Sequence, residues 1–160
     1  MAKQKKQSKG AGSSHIAKNR RATFDFKIDE KFEAGLVLQG WEVKSIREGR
    51  IQLNEAYIQI HKMEAWLYGC HITPLVSAST HRTHESTRRR KLLLHRRELS
   101  RLIGAVERKG YALVAMAMYW KRGNVKIEIG LGKGKKEFDK RASIKERDWQ
   151  RDKARVLRIN

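Results

Sequence analysis

The stretch Tyr111–Leu131, YALVAMAMYWKRGNVKIEIGL, decides the fold. Its first part, Tyr111 to Trp120, is apolar on both faces, the pattern of a central strand covered on two sides. Val125, Ile127, Ile129 and Leu131 then alternate with Lys126, Glu128 and Gly130, as a strand with one buried face requires. Between them, Lys121 to Asn124 contains Gly123 and supplies the turn.

Upstream of this hairpin, Leu99, Leu102, Ile103 and Val106 recur at helical spacing, and Gly110 stands where a C-terminal cap belongs. Ala56–Ile60 and Ala65–Cys70 read as a second hairpin, with its turn near Lys62 to Glu64. Thr23–Ile28 alternates, with Phe24, Phe26 and Ile28 on one side, and is predicted to be a half-buried strand. Asp29 and Glu30 are expected to open a helical stretch that carries Phe32, Leu36 and Val37 on one face and stops at Gly40. Trp41 to Arg47 is a candidate second short helix, packed by Val43 and Ile46. Thr73 to Arg90 has no apolar periodicity and is expected to be an exposed loop ending in Arg88-Arg89-Arg90-Lys91.

The fold class that follows is mainly β with short helices: an antiparallel barrel of the oligonucleotide-binding (OB) type, flanked by two or three helices. Its body is expected to span residues 16–132. Residues 1–15 and 133–160 form basic tails, disordered when free. The second tail holds eleven Lys or Arg against five Asp or Glu, and its apolar residues Ile144, Trp149, Val156 and Leu157 share no clean helical stripe. Such a segment is marginal as an isolated helix and should become helical only against a partner.

Charge narrows the function. The chain of 160 residues carries 37 Lys and Arg against 17 Asp and Glu, a net +20. A domain of this size gains nothing from so much self-repulsion, so a polyanion is the expected partner, with nucleic acid ahead of an anionic membrane. The longest apolar run, Tyr111 to Trp120, is well short of the roughly 20 residues that span a bilayer. Met1 to Ser14 is basic but lacks the apolar core of a signal peptide. Cys70 is the single cysteine, which excludes an intramolecular disulfide and fits a reducing cytoplasm.

Catalytic readings fare poorly. Gly130-Leu131-Gly132-Lys133-Gly134-Lys135 has a phosphate-loop look, but Ile129 and Lys136 occupy positions that need Gly and Ser/Thr, so the stretch reads as a flexible hinge. His81 and His84, with Glu85 and with Cys70 and His71 elsewhere, could be imagined as a metal site or a metal-dependent nuclease. Their polar surroundings and the lack of a second cysteine argue instead for solvated loop histidines. Cys70 lies in an apolar strand, where a buried inert thiol is the default. No enzyme, metal or cofactor is expected.

RNA binding draws on several features at once. Basic clusters recur at Lys18 to Arg21, at Arg88 to Lys91 with Arg96 and Arg97, and at Lys133 to Lys136. Phe138 and Trp149 sit in a polar tail where stacking on bases would employ them, whereas Tyr119 reads as core. Glu33 reads as an exposed first-turn acid or as a carboxylate for a guanine edge.

Read together, Asn19-Arg20-Arg21-Ala22, Glu33-Ala34-Gly35-Leu36, Leu38-Gln39-Gly40-Trp41-Glu42-Val43-Lys44-Ser45-Ile46-Arg47 and Arg90-Lys91-Leu92-Leu93-Leu94 closely resemble the small protein B family. So do Lys133-Gly134-Lys135-Lys136, Asp139-Lys140-Arg141 and Ile144-Lys145-Glu146-Arg147-Asp148-Trp149. These are the bacterial SsrA-binding proteins, partners of transfer-messenger RNA in trans-translation. The resemblance runs from Ile16 to Arg158 and implies an OB-type barrel. It also implies a body that clasps the tRNA-like domain of transfer-messenger RNA, and a tail that folds in the decoding centre and empty mRNA channel of a stalled ribosome, against 16S rRNA. Elongation factor Tu would be met indirectly, through the aminoacylated RNA, and the protein is expected to act as a cytoplasmic monomer. By position, Asn19, Glu33, Leu93 and Lys126 are the RNA contacts the resemblance implies, and Arg20, Arg21, Lys91, Lys133, Lys135 and Lys136, from the basic clusters, are expected to join them. Asp139, Lys140, Arg141, Lys145, Arg147, Lys153 and Arg155 are the implied ribosome contacts, and Phe138 and Trp149 are expected to join them by stacking. Phe138 stands where relatives carry other rings, and a phenyl ring stacks without donating a hydrogen bond. The competing binding-class reading is a structural ribosomal protein.

Overall fold

The computed structural model describes residues 14–77 and 83–158. Residues 1–13, and with them most of the expected N-terminal tail, lie outside the described residues, as does His81. The elements in chain order are β1 (Ser14–Lys18), α1 (Arg20–Asp25), β2 (Phe26–Leu36), α2 (Gly40–Arg47), β3 (Ile51–Gln52), β4 (Tyr57–His61) and β5 (Glu64–Tyr68). They continue with β6 (His71–Ile72), β7 (Arg90–Leu93), α3 (Arg96–Lys109), β8 (Ala112–Lys121), β9 (Asn124–Gly134) and α4 (Glu137–Leu157).

The hairpin of β8 and β9 closes the barrel. β8 and β9 pair along their length, and β8 also bonds β4, so that β8, β4, β5, β7, β2 and β9 form one antiparallel ring. β1 adds to the free stretch of β8, and β3 pairs with β6 outside the ring. The turn residues Arg122 and Gly123 have φ of 51° and 76°, the left-handed pair that matches hairpin twist. Lys62 and Met63, at 47° and 61°, do the same between β4 and β5 without a glycine.

Inside the ring, Leu67, Leu92, Leu102, Met118, Ile127 and Ile129 belong to one continuous core. α3 places Leu99, Leu102 and Ala105 against it. Its start is a reciprocal cap in which His95 N donates to Glu98 at 3.1 Å, and its end is Gly110 at φ 65°. A smaller cluster of Ala22, Val114 and Met116, with Phe26 and Ile28, lies on the other face of β8. β8 is therefore covered on both sides from Leu113 to Met116, as its sequence predicts, whereas Tyr119, read from the sequence as core, lies half-buried on the outer face.

Two elements differ from the sequence expectation. Residues 23–25 belong to helix α1 rather than to a strand, because Asn19 Oδ1 accepts the Ala22 N–H at 3.1 Å and caps the turn. The predicted helix from Asp29 to Val37 is instead strand β2, paired with β9 from Phe26 to Gly35. Phe32 and Leu36 are four apart and Ala34 lies between them, so period 2 and period 3.6 both fit these apolar residues. A bulge between Ile28 and Glu30 then re-aims the strand. Before it, Phe26 and Ile28 face the small cluster. Beyond it, Phe32, Ala34 and Leu36 face the main core. Gly40 opens α2 rather than ending a helix.

The glycine stretch is also not a hinge. Gly130 and Gly132 are buried in β9, and β9 runs to Gly134, past the expected end of the body at residue 132. A Cβ at Gly130 would stand 2.8 Å from Met116 Sδ, and one at Gly132 would collide with the Lys27 carbonyl oxygen. Close backbone approach is what these glycines provide.

Candidate nucleic-acid interface

Three residues far apart in sequence converge on one cleft. β2 carries Glu33 and Gly35 on its outer face, β9 carries Lys126 opposite Gly35, and β7 carries Leu93 opposite Gly35 from the other side. Glu33, Gly35, Leu93 and Lys126 line the cleft with Leu94, His95 and Glu98, and its volume is about 460 Å³. Gly35 keeps it open. A Cβ there would lie 3.3 Å from Leu93 Cβ and 3.6 Å from Lys126 Nζ. Leu93 is 53 % exposed although it ends a core strand, so its side chain is an apolar wall presented to solvent.

The carboxylate of Glu33 is oriented by two donors. The Tyr119 hydroxyl donates to Oε2, and Lys121 Nζ donates to Oε1 and Oε2 at 2.9 and 3.1 Å. These hydrogen bonds, Tyr119 first, hold the carboxyl below the usual carboxylate range. Burial, followed by the Glu33 carboxylate, pushes the Tyr119 phenol up. An ionised carboxylate beside a lysine and an apolar wall is suited to a base edge, while the lysine suits phosphate.

The other expected RNA contacts lie elsewhere. Asn19 is 3 % exposed and its oxygen is occupied as the cap of α1, so that oxygen is not free for a base or sugar. The cap instead sets the exposed Arg20 and Arg21 on the first turn of α1. Lys91 is paired with Glu64 at 2.6 Å on the surface. Lys133 Nζ sits 4.9 Å over the Tyr111 ring, and Lys135 Nζ is 3.5 Å from Ser143 Oγ. Lys136 is the N-terminal cap position of α4.

The Arg88–Lys91 run is not the exposed basic cluster its sequence suggests. Arg90 is fully buried, and Arg88 and Arg90 both donate to Glu42, itself fully buried at the start of α2. Arg90 also donates to the carbonyls of Cys70 and Ser86 at 2.8 and 3.1 Å. Arg89 turns outward, its guanidinium 4.7 Å over the Trp66 ring. Nothing in local periodicity could reveal this, because Glu42 and Arg90 are partners across 48 positions.

The tail is a continuous helix, α4, with no buried residue. Its root docks on α1: Lys140 Nζ lies 3.6 Å from Asp25, and the Arg147 guanidinium 5.8 Å from the Phe24 ring. Phe138 and Trp149 are 64 % and 59 % exposed. Arg141, Lys145 and Arg155 are exposed, and Lys153 lies 5.1 Å over Trp149. Asp139 stands in the first turn, where the helix dipole favours it.

His84 lies against Trp41 with ring centroids 4.9 Å apart and ring planes tilted by 33°. Cys70 is buried, and burial pushes its thiol up to about 11. Among the described residues no three His, Cys, Asp or Glu side chains gather around a possible metal, and no helix is long and apolar enough to cross a membrane.

Residues 16–159 match the family described as SmpB protein. This chain belongs to the SmpB family. It is 58 % identical over 143 residues to the SsrA-binding protein of Polynucleobacter asymbioticus, which covers 89 % of this chain and 95 % of the relative. It is 57 % identical to that of Alkalilimnicola ehrlichii, with 89 % of each chain covered. The Marinomonas sp. SsrA-binding protein aligns over 160 residues at 55 % identity, covering 100 % of this chain and 99 % of the relative. A solved structure described as "tmRNA-SmpB: a journey to the center of the bacterial ribosome" contains a similar chain. The TM-score is 0.63 at 40 % identity, with 78 % of this chain and 87 % of that chain covered. The OB-type barrel read from the sequence is thus the SmpB fold, with a six-strand ring and four helices among the described residues.

Proposed function

We propose that this SmpB-family chain is a non-catalytic RNA-binding factor that clasps the tRNA-like domain of transfer-messenger RNA and brings it to stalled ribosomes for trans-translation. The observation that carries this reading is the convergence of Glu33, Leu93 and Lys126 on one open cleft around Gly35. The SsrA-binding relatives named above support it, as does the likeness to the chain in the tmRNA-SmpB structure. In this reading Glu33 accepts hydrogen bonds from a base, Leu93 packs on an unstacked base, and Lys126 pairs with phosphate. Arg20, Arg21, Lys133 and Lys135 extend the electrostatic footprint around α1.

The body and the tail divide the work. α4 enters the decoding centre and the empty mRNA channel, where Phe138 and Trp149 stack and Lys140, Arg141, Lys145, Arg147, Lys153 and Arg155 meet 16S rRNA phosphates. Away from RNA its distal turns are unfolded, because an unpacked basic helix is marginal in water. The factor acts as a cytoplasmic monomer, and elongation factor Tu joins only through the aminoacylated RNA.

The test is binding of a labelled tRNA-like-domain RNA to Leu93→Ala and Lys126→Met variants, with melting temperature as the folding control. Each variant should bind about tenfold more weakly, the worth of one good contact, and melt as the unaltered protein does. Unchanged affinity in both would remove the cleft from the interface.

A further inference from the structure

The Glu33 carboxylate is held by a side chain that has to cross a whole strand. On the outer face of the barrel, Tyr119 on β8 stands opposite Lys126 on β9, and Lys126 opposite Gly35 on β2. One rung along, Ala117, Glu128 and Glu33 form the neighbouring row. Tyr119 and Glu33 are thus two strand spacings and two residues apart, about 12 Å at the backbone. A phenol and a glutamate, both extended over β9, close that gap, and the hydroxyl donates to Oε2. A serine or threonine at position 119 could not reach.

We propose that Tyr119 is a positioning residue for RNA recognition: its hydroxyl fixes the Glu33 carboxylate above the cleft formed by Gly35, Leu93 and Lys126. The inference rests on Glu33 being an RNA contact, as proposed above. A glutamate on an open sheet face samples several rotamers and loses that freedom when RNA binds. Tyr119 has only two side-chain torsions and a half-buried ring, so it holds the carboxylate in place at little entropic cost before RNA arrives. Lys121 also contacts Glu33, but its ammonium is on a flexible, 47 % exposed side chain and is weakened by salt. A neutral hydroxyl is not. Tyr119 is the donor that still operates at the ionic strength where phosphate contacts fade.

The experiment is a double-variant cycle with Tyr119→Phe, Glu33→Gln and the pair, read as affinity for labelled tRNA-like-domain RNA at several salt concentrations. Tyr119→Phe keeps the ring and removes one oxygen, and its melting temperature reports any loss of fold. Expected is an affinity loss of about tenfold for Tyr119→Phe, the scale of a hydrogen bond to a charged group, with an unchanged slope of log affinity against log salt. The double variant should bind no worse than Glu33→Gln alone. Wild-type affinity in Tyr119→Phe, or losses that multiply in the double variant, would overturn the positioning role. Wild-type affinity in Glu33→Gln is a different failure, since it removes Glu33 from the interface and the role of Tyr119 with it.

Discussion

The Glu42 carboxylate and the Arg90 guanidinium meet at 2.7 Å with both side chains fully buried. Arg90 begins β7, and three residues on the same strand presents Leu93 to the cleft. The pair therefore ties α2 to the strand that carries part of the candidate RNA site. Its polar atoms are well served: Glu42 also accepts from Gln39 N at 2.8 Å and from Arg88 at 2.6 Å. Such a network resists partial removal more than it adds net stability.

Glu42→Ala would leave Arg90 charged and uncompensated in the interior. Urea unfolding should show a loss of about 3–5 kcal/mol. A loss below about 1 kcal/mol, the range of surface pairs, would mean the pair is far better solvated than its burial implies.

The glycines of β9 separate packing from flexibility. Gly132→Ala forces a Cβ into the Lys27 carbonyl and should cost about 1–3 kcal/mol in the same unfolding assay. Gly134→Ala meets nothing within 4 Å and should leave stability within about 0.5 kcal/mol. Equal effects at the two positions would restore the flexible-hinge reading.

Cys70 links stability to alkaline pH. Its thiol is raised in the folded state to about 11 from 9.0, so the unfolded chain ionises first. The contribution of the neutral thiol is intact below pH 9 and is lost as pH rises toward 11. The stability advantage of the native protein over Cys70→Ala should shrink across that window. Alkylation at pH 8 should be slow until the protein is unfolded, and rapid labelling of folded protein would contradict the burial.

The proposed division of roles between body and tail can be tested on the tail alone. Circular dichroism of a peptide spanning residues 137–158 should show little helix, and a chain ending at Lys136 should bind tRNA-like-domain RNA with nearly full affinity. That shortened chain should nonetheless fail to support tagging on stalled ribosomes. A strongly helical free peptide would contradict folding on the ribosome.

How much of this was legible depends on the range of the interactions. The β8–β9 and β4–β5 hairpins and α3 carry local signals, namely alternation, a turn pair and a capped apolar stripe, and they appear where the sequence puts them. β2 was hidden by a bulge that changes its phase after Ile28 and by the four-residue spacing of Phe32 and Leu36. Residues 19–25 hid a helix because a six-residue turn is set by one cap, Asn19, rather than by periodicity. In the site, Lys126 is legible as the outward residue of an alternating strand. Glu33 becomes so only once β2 is known to be a strand, and its partner Tyr119 lies 86 positions away. The buried Arg90 looks like any other arginine in a basic run until Glu42 is placed beside it.

A dedicated RNA partner is best tested by capture of RNA by this protein from a lysate of its own cells, followed by sequencing after washes at rising salt. Sequence-blind phosphate binding decays steeply with salt, whereas a shaped site retains its partner longer. The expected result is one dominant transfer-messenger RNA surviving the most stringent wash. A spread of ribosomal RNA fragments with no enriched species would contradict it and would make the chain a general ribosomal RNA binder.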